Sequence, residues 1–142
     1  MKTARDIMST NVECASVNDT LTEAAKKMRD LDVGALPICG DDNRLKGMLT
    51  DRDITVRAVA EGMDPSTVKV VELAEGKPVT IGADDSLEEA MRTMTEHDVR
   101  RLPVIDGHDL VGMISQADIA QNLSGSETGN LVADISSAPS NN

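Results

Sequence analysis

The chain contains no phenylalanine, tyrosine or tryptophan. Its core must therefore be assembled from Leu, Ile, Val, Ala and eight Met, and a ring-shaped ligand would have to rest between aliphatic side chains. Basic residues are also scarce: 14 Lys and Arg face 25 Asp and Glu, leaving a net charge of −11. A surface of that sign repels phosphate backbones and anionic lipid, so nucleic acid and membrane surfaces are poor partners. No apolar run approaches the ~20 residues that cross a bilayer. The opening MKTARDIMST lacks the apolar stretch of a signal peptide, and a soluble cytoplasmic protein is expected. Two cysteines, Cys14 and Cys39, make no disulfide framework. There is no CxxC, and His97 and His108 stand apart, so metal-ligand spacing is missing. Catalytic signatures are absent too. No Ser-His-Asp order, P-loop or GxGxxG occurs, and helical spacing turns Asp51 and Asp53 to different faces.

What is present is a duplication. Residues 19–38, DTLTEAAKKMRDLDVGALPI, align with residues 85–104, DSLEEAMRTMTEHDVRRLPV, at a constant offset of 66. Leu21 meets Leu87, Ala24 meets Ala90, Met28 meets Met94, Asp32 meets Asp98 and Pro37 meets Pro103. After one dropped residue the match resumes, LKGMLTDRDI (45–54) against LVGMISQADI (110–119).

Each copy predicts the same elements. Leu21, Ala24, Ala25, Met28 and Leu31 form an apolar stripe at helical spacing, and Met91 and Met94 read as core in the second helix. Thr20 with Glu23, and Ser86 with Glu89, have capping-box spacing at the two helix starts. Ala35–Cys39 with Leu45–Leu49, and Leu102–Ile105 with Leu110–Ile114, flank Gly/Asp turns and predict β-hairpins. Pro37 and Pro103 cannot donate to a ladder, so the missing N–H of each is expected to face an edge or a ligand rather than a neighbouring strand. Closing helices are predicted over 51–60 and 116–123. Short strands (12–15 and 79–81) lie ahead of each copy, each preceded by a helical turn (4–8 and 70–74). The expected division is 1–62 and 63–123, with a Ser-, Gly- and Asn-rich tail, 124–142, expected to be disordered.

The chemistry is concentrated where each hairpin runs into its closing helix: Gly47–Asp53 (GMLTDRD) and Gly112–Asp118 (GMISQAD). A glycine permits close backbone approach. A hydroxyl, Thr50 or Ser115, follows at a helix start, and a carboxylate, Asp53 or Asp118, lies about one helical turn on. Hydroxyl and N–H groups suit a phosphate, and a carboxylate can accept from a ribose diol. The competing explanation is ordinary capping, since an N-cap hydroxyl followed by an acid in the first turn stabilises any helix.

These residues carry a resemblance. The D-[ST]-L-x-E-A helix start, the apolar-Pro-apolar strand and the G-h-h-[ST]-x-x-D junction, each present twice, resemble the CBS domain, and the pair resembles a Bateman module of the small stand-alone type. The resemblance implies an α/β fold of tandem β-α-β-β-α repeats with pseudo-two-fold symmetry, a homodimer, and a non-enzymatic regulatory role of the kind used in stress responses. It also implies inter-repeat clefts for an adenosyl ligand: AMP, ADP, ATP or S-adenosylmethionine. Carried over residue by residue, the hydroxyls are Thr50 and Ser115 and the ribose carboxylates Asp53 and Asp118. The walls come from the strands of Pro37 and Pro103 and from the first strands, near Cys14 and Thr80. Cys14 stands where the second copy has Thr80, so the two sites are not equivalent. A ligand-free protein-interaction or structural dimer is the alternative, and a redox- or metal-responsive module the third.

Arg100 and Arg101 precede Leu102 and Pro103 at the mouth of the expected site. They read either as phosphate clamps or as a solvated edge paired with Glu96 or Asp98. Cys14 and Cys39 belong to strands that a βαβ crossover sets side by side, so a disulfide and two reduced thiols are both open readings. His97 falls at a helix end, where the helix dipole favours it.

Overall fold

The structure, a computed structural model, describes residues 2–74 and 78–122. The tail from 124 onward, and residue 123 at the end of the expected second closing helix, lie outside the described residues.

The predicted order holds in both copies. The first has β1 (Ala15–Ser16), α2 (Leu21–Leu31), β2 (Ala35–Cys39) and β3 (Leu45–Thr50). The second has β4 (Ile81–Gly82), α3 (Leu87–His97), β5 (Arg101–Asp106), β6 (Asp109–Ser115) and α4 (Gln116–Ala120). A one-turn helix, α1 (Ala4–Ile7), precedes the first copy and a 3₁₀ turn, Val70–Glu72, precedes the second. Each sheet has three strands, its middle strand parallel to the first and antiparallel to the third. Both hairpins carry a register shift at the equivalent place, Ile38/Cys39 and Val104/Ile105. Pro37 and Pro103 sit in middle strands. The parallel neighbour reaches only Ile38 and Cys39 in one sheet, and Val104 and Ile105 in the other, leaving each proline just outside that pairing.

The helices begin as their caps dictate. Thr20 and Glu23 close a complete capping box. Ser86 makes only half of one, accepting from the Glu89 N–H. Both helices end on a left-handed aspartate, Asp32 at φ 54° and Asp98 at φ 53°. Leu21, Ala24 and Met28 are buried in α2, and Leu87, Ala90 and Met94 in α3. Ala25 and Leu31, placed on the apolar stripe by their spacing, are exposed, because α2 covers its sheet with a narrower face than periodicity suggests. The first closing helix is wider than an α-helix over Asp53–Val59, with i→i+5 bonds such as Ala60 N–H to the Thr55 carbonyl, 3.0 Å.

The compact units do not follow the linear division at 62/63. One unit is Glu13–Pro78; the other joins the first twelve residues to the chain from Val79 onward. The lead-in turn of each copy is thus packed into the other copy's unit. Ser9 exchanges both backbone hydrogen bonds with Met113 of β6 (2.8 and 3.0 Å), and the Ala4 and Arg5 N–H groups donate to the Asp85 and Ala83 carbonyls, both 2.9 Å. Ala4 is fully buried there, and Arg5 pairs with Asp84 and Asp106 at 3.3 and 3.0 Å. In the other unit the Leu21 N–H donates to Val68, 3.0 Å, and the Val70 N–H to Asp19, 2.9 Å. Each unit has its own apolar core. A short lead-in turn carries an apolar residue, Ala4 or Val70, that has to be buried, and nothing local says against which sheet.

Candidate functional site

The two junctions have the same internal geometry. At the end of β3 the Thr50 N–H donates to Asp53 Oδ2 (2.9 Å) and the Asp53 N–H donates to Thr50 Oγ1 (3.0 Å). At the end of β6 the Ser115 N–H donates to Asp118 Oδ2 (2.8 Å) and the Asp118 N–H to Ser115 Oγ (3.1 Å). These are capping boxes, so the capping explanation is physically realised. It uses only half of each pair. The hydroxyl oxygen accepts, which leaves its hydrogen to donate elsewhere, and the box engages one carboxylate oxygen of two.

The glycines of the junctions do something other than admit a ligand. A Cβ on Gly112 would lie 2.5 Å from Met8 Sδ and 2.9 Å from the Ser9 carbonyl oxygen; on Gly47 it would lie 2.9 Å from the Ala74 Cβ. The close approach permitted by each glycine is taken by the lead-in segment of the other repeat.

Strand register shows which predicted residues share a face. Leu36, Ile38 and Leu49 point into one core, and Leu102, Val104 and Ile114 into the other. Alternation places Pro37 and Thr50 on the opposite face of the first sheet, and Arg101, Pro103 and Ser115 on the opposite face of the second. Arg101 stands directly across from Ser115, and the Arg100 carbonyl accepts from the Gln116 N–H, 2.9 Å. Thr80, exposed, lies one residue before Ile81, which pairs with Val104, and so falls at the register of Pro103. The register thus puts Arg101, Pro103 and Ser115 on one sheet face, with Thr80 at the level of Pro103, Arg100 just ahead of the strand and Asp118 in the helix that follows it.

The first copy keeps the proline, the hydroxyl and the aspartate (Pro37, Thr50, Asp53) and differs around them. Gly34 and Ala35 stand where the second has Arg100 and Arg101, and Ala35 is buried across from Thr50. Arg57 lies 3.9 Å from the free carboxylate oxygen of Asp53 and donates to the Leu73 carbonyl, 2.5 Å. Its counterpart is Asn122, which donates to the Asp118 carbonyl at 2.7 Å, leaving Asp118 without a cation among the described residues. Cys14 and Cys39 are joined by a disulfide, Cα–Cα 5.7 Å, so of the two open readings the bonded one is found. The Cys14 carbonyl is also held by Lys27 Nζ at 3.0 Å, the same ammonium that pairs with Asp19.

Two features were missed in the sequence. Arg57 could have been found, since Asp53 and Arg57 have i, i+4 spacing. Gln116 could not: its carboxamide oxygen is buried without a hydrogen-bond partner among the described residues, which only packing reveals. Pairing of Arg100 or Arg101 with Glu96 or Asp98 does not occur; neither guanidinium has a partner among the described residues.

The CBS domain family model matches residues 4–59 and 70–125. The chain belongs to the CBS domain family and carries two copies of the domain. It is 53% identical to Hypoxic response protein 1 of Mycobacterium tuberculosis over 123 residues, 87% of this chain and 86% of that protein. The crystal structure of Hypoxic Response Protein I with two coordinated zinc ions matches with a TM-score of 0.81 and 52% identity, over 87% of this chain and all of that one. The fold is shared with CBSX2, solved in complex with AMP, at a TM-score of 0.73 and 22% identity over 85% of this chain and 95% of that one. Among the described residues of this chain no three His, Cys, Asp or Glu side chains stand together to hold a metal, and its two cysteines are bonded to each other. That donor set does not fit a zinc centre within one chain. No described helix is long and apolar enough to cross a membrane.

Proposed function

We propose that this CBS pair is a non-enzymatic cytoplasmic sensor that binds an adenosyl nucleotide or similar small ligand and signals through a protein partner. One observation carries the reading. A hydroxyl hydrogen and a carboxylate oxygen are left over at the end of a capped strand, in a pair that recurs with the same geometry in both copies. The hydroxyl donates to phosphate, the carboxylate accepts from a ribose diol, and Pro37, Pro103 and Thr80 supply neighbouring wall. Nothing in this set is a nucleophile with a base beside it, so binding rather than turnover is the chemistry on offer. The test is thermal unfolding, followed by circular dichroism for want of an aromatic fluorophore, against AMP, ADP, ATP and S-adenosylmethionine. A ligand at 100 times Kd adds about 2.7 kcal/mol, several degrees in Tm. A flat response to all four at millimolar concentration refutes the sensor.

A second reading, a homodimer that works by protein contact, is favoured by the exposed apolar residues Val56 (43%), Val59 (58%) and Met63 (43%) at the first closing helix. Sedimentation of the wild-type chain beside Val59→Glu tests it. A monomeric wild type, or a dimer indifferent to the substitution, removes that helix as the interface.

A further inference from the structure

The turn of the second hairpin holds a reactive pair that the sensor reading does not use. We propose that Asp106 is a site of spontaneous isomerisation to isoaspartate, and that Arg5 of the lead-in segment slows the reaction. The site is independent of any ligand and lies at the opposite end of the β5–β6 hairpin from the Ser115 junction.

Asp106–Gly107 is the single Asp-Gly pair in the sequence, and there is no Asn-Gly. Asp106 ends β5 and pairs with Asp109, and between them Gly107 takes φ 65°, as a two-residue hairpin turn with glycine first requires. Residues 106–109 are all exposed. A Cβ at Gly107 would meet no described atom beyond its chain neighbours within 4 Å, and the Gly107 N–H has no hydrogen-bond partner among the described residues. That nitrogen is therefore unshielded, and the residue before it carries a side-chain carboxyl. In isomerisation the Gly107 nitrogen attacks Asp106 Cγ. An N–C bond forms and a C–O bond breaks. The departing oxygen leaves as water, taking the amide hydrogen and one proton from solvent. Water then opens the five-membered imide. Addition at Cγ restores aspartate; addition at the backbone carbonyl leaves isoaspartate, with the main chain running through Cβ and Cγ. The product has the composition of the starting chain, and nothing is oxidised or reduced.

Arg5 stands against this step. Its Nη2 donates to Asp106 Oδ2 at 3.0 Å, while Nε and Nη2 reach Asp84 Oδ1, both at 3.3 Å. A carboxyl oxygen held by a guanidinium has to give up that bond before it can leave as water, and the same bond restrains Cγ from turning toward the Gly107 nitrogen. Arg5 is itself fixed from behind: its N–H donates to the Ala83 carbonyl, 2.9 Å, and the neighbouring Ala4 is fully buried. The tie acts in both directions. Isoaspartate adds one carbon to the main chain at the last rung of the ladder. It also replaces the side chain that reaches Arg5 with a carboxylate set directly on Cα, so the lead-in segment loses one of its holds on the sheet. The first repeat has neither half of the arrangement, since Gly40 and Val71 stand at the places of Asp106 and Arg5.

The test is prolonged incubation of the full chain at body temperature and neutral pH, then digestion with the endoproteinase that cuts ahead of aspartate but not ahead of isoaspartate. Peptide 98–108, left uncut at Asp106, measures the modified fraction. It should accumulate in the wild type, and roughly threefold faster in Arg5→Ala, the factor that an exposed ion pair commands. Arg5→Lys, which keeps a cation, should restore a rate near that of the wild type. Asp84→Asn removes the other acid that Arg5 pairs with and should not quicken the reaction. In denaturant, wild type and Arg5→Ala should coincide. Wild-type chain aged to a high isoaspartate content should lose amide protection at Ala4 and Arg5. Several results would each overturn the proposal: no uncut peptide from folded Arg5→Ala, equal rates for Arg5→Ala and wild type, or a difference that persists in denaturant. So would an Asp84→Asn chain as fast as Arg5→Ala, which would assign the effect to a loosened segment rather than to the bond on Asp106. Unchanged protection in the aged chain would refute the return effect on the segment.

Discussion

Gly112→Ala should dislodge the N-terminal segment from the second-repeat unit. The added Cβ would lie 2.5 and 2.8 Å from Met8 Sδ and Cγ, and 2.9 Å from the Ser9 carbonyl oxygen. A methionine tip can swing aside at small cost, but the Ser9 oxygen is backbone, in a residue tied to Met113 by two hydrogen bonds. Relief therefore comes either from a shift of the segment, at the 1–3 kcal/mol typical of overpacking, roughly, or from its release. Release gives up four backbone hydrogen bonds of roughly 1 kcal/mol each and the burial of Ala4, Ile7 and Met8. Against this it regains roughly 1–2 kcal/mol of backbone entropy per freed residue, so the two routes are of similar cost. The unit should lose about 1–3 kcal/mol in chemical denaturation followed by circular dichroism. Amide exchange should quicken at Ala4, Arg5 and Met113, with Glu13–Pro78 unaffected. A double-mutant cycle isolates the cause. In a chain lacking residues 2–12 the same substitution should cost nothing beyond about 0.5 kcal/mol, the usual limit of additivity. If it costs as much there as in the full chain, the glycine is not serving the segment and the argument is wrong.

Two further outcomes follow from the ties within each unit. Reduction by a dithiol, or Cys14→Ser, should destabilise the Glu13–Pro78 unit by about 3.5 kcal/mol, the chain-entropy value for a separation of 25 residues; equal denaturation midpoints with and without reductant would refute that. The Asp6 carboxyl is held below its ordinary 3.8 chiefly by the Thr3 backbone N–H, then by the Thr3 hydroxyl. Its contribution to holding the segment is thus complete above that ordinary value and lost as pH falls through the lowered one. Protection of the Ala4 and Arg5 amides, relative to their intrinsic exchange, should fall below about pH 4 in the wild type and already be low at pH 7 in Asp6→Ala; protection in the variant that matches the wild type at every pH counts against it.

How far the sequence could be read depended on how local each cause was. Thr20 with Glu23, and Ser86 ahead of Leu87, act within one turn, so the starts of both long helices were legible to the residue. The hairpins were legible because each apolar run is bounded by its own turn. The exchange of lead-in segments was not, because Ala4–Ile7 and Val70–Glu72 are too short to specify a partner, and the Gly47 and Gly112 positions that receive them look like any ligand-approach glycine. Within the candidate site, the pairs Thr50–Asp53 and Ser115–Asp118 were visible as spacing. Their inequality was visible only in part, through Cys14 against Thr80. The opposition of Arg101 to Ser115 depends on hairpin register, whereas the hold of Arg57 on Asp53 was open to reading as i, i+4 spacing.

The interlaced packing also has a consequence for how the molecule is made. Residues 2–12 are synthesised well before the strand that receives Ser9, which is β6, roughly 100 residues further along. At 5–20 residues per second the leader waits roughly 5–20 s for its place to exist. During most of that interval Glu13–Pro78, contiguous and with a core of its own, has all it needs to close. This segment is therefore made before Glu13–Pro78 yet seated after it, and an obstacle bound to residues 2–12, such as a chaperone, would be felt by the second repeat rather than by the repeat next to it in sequence.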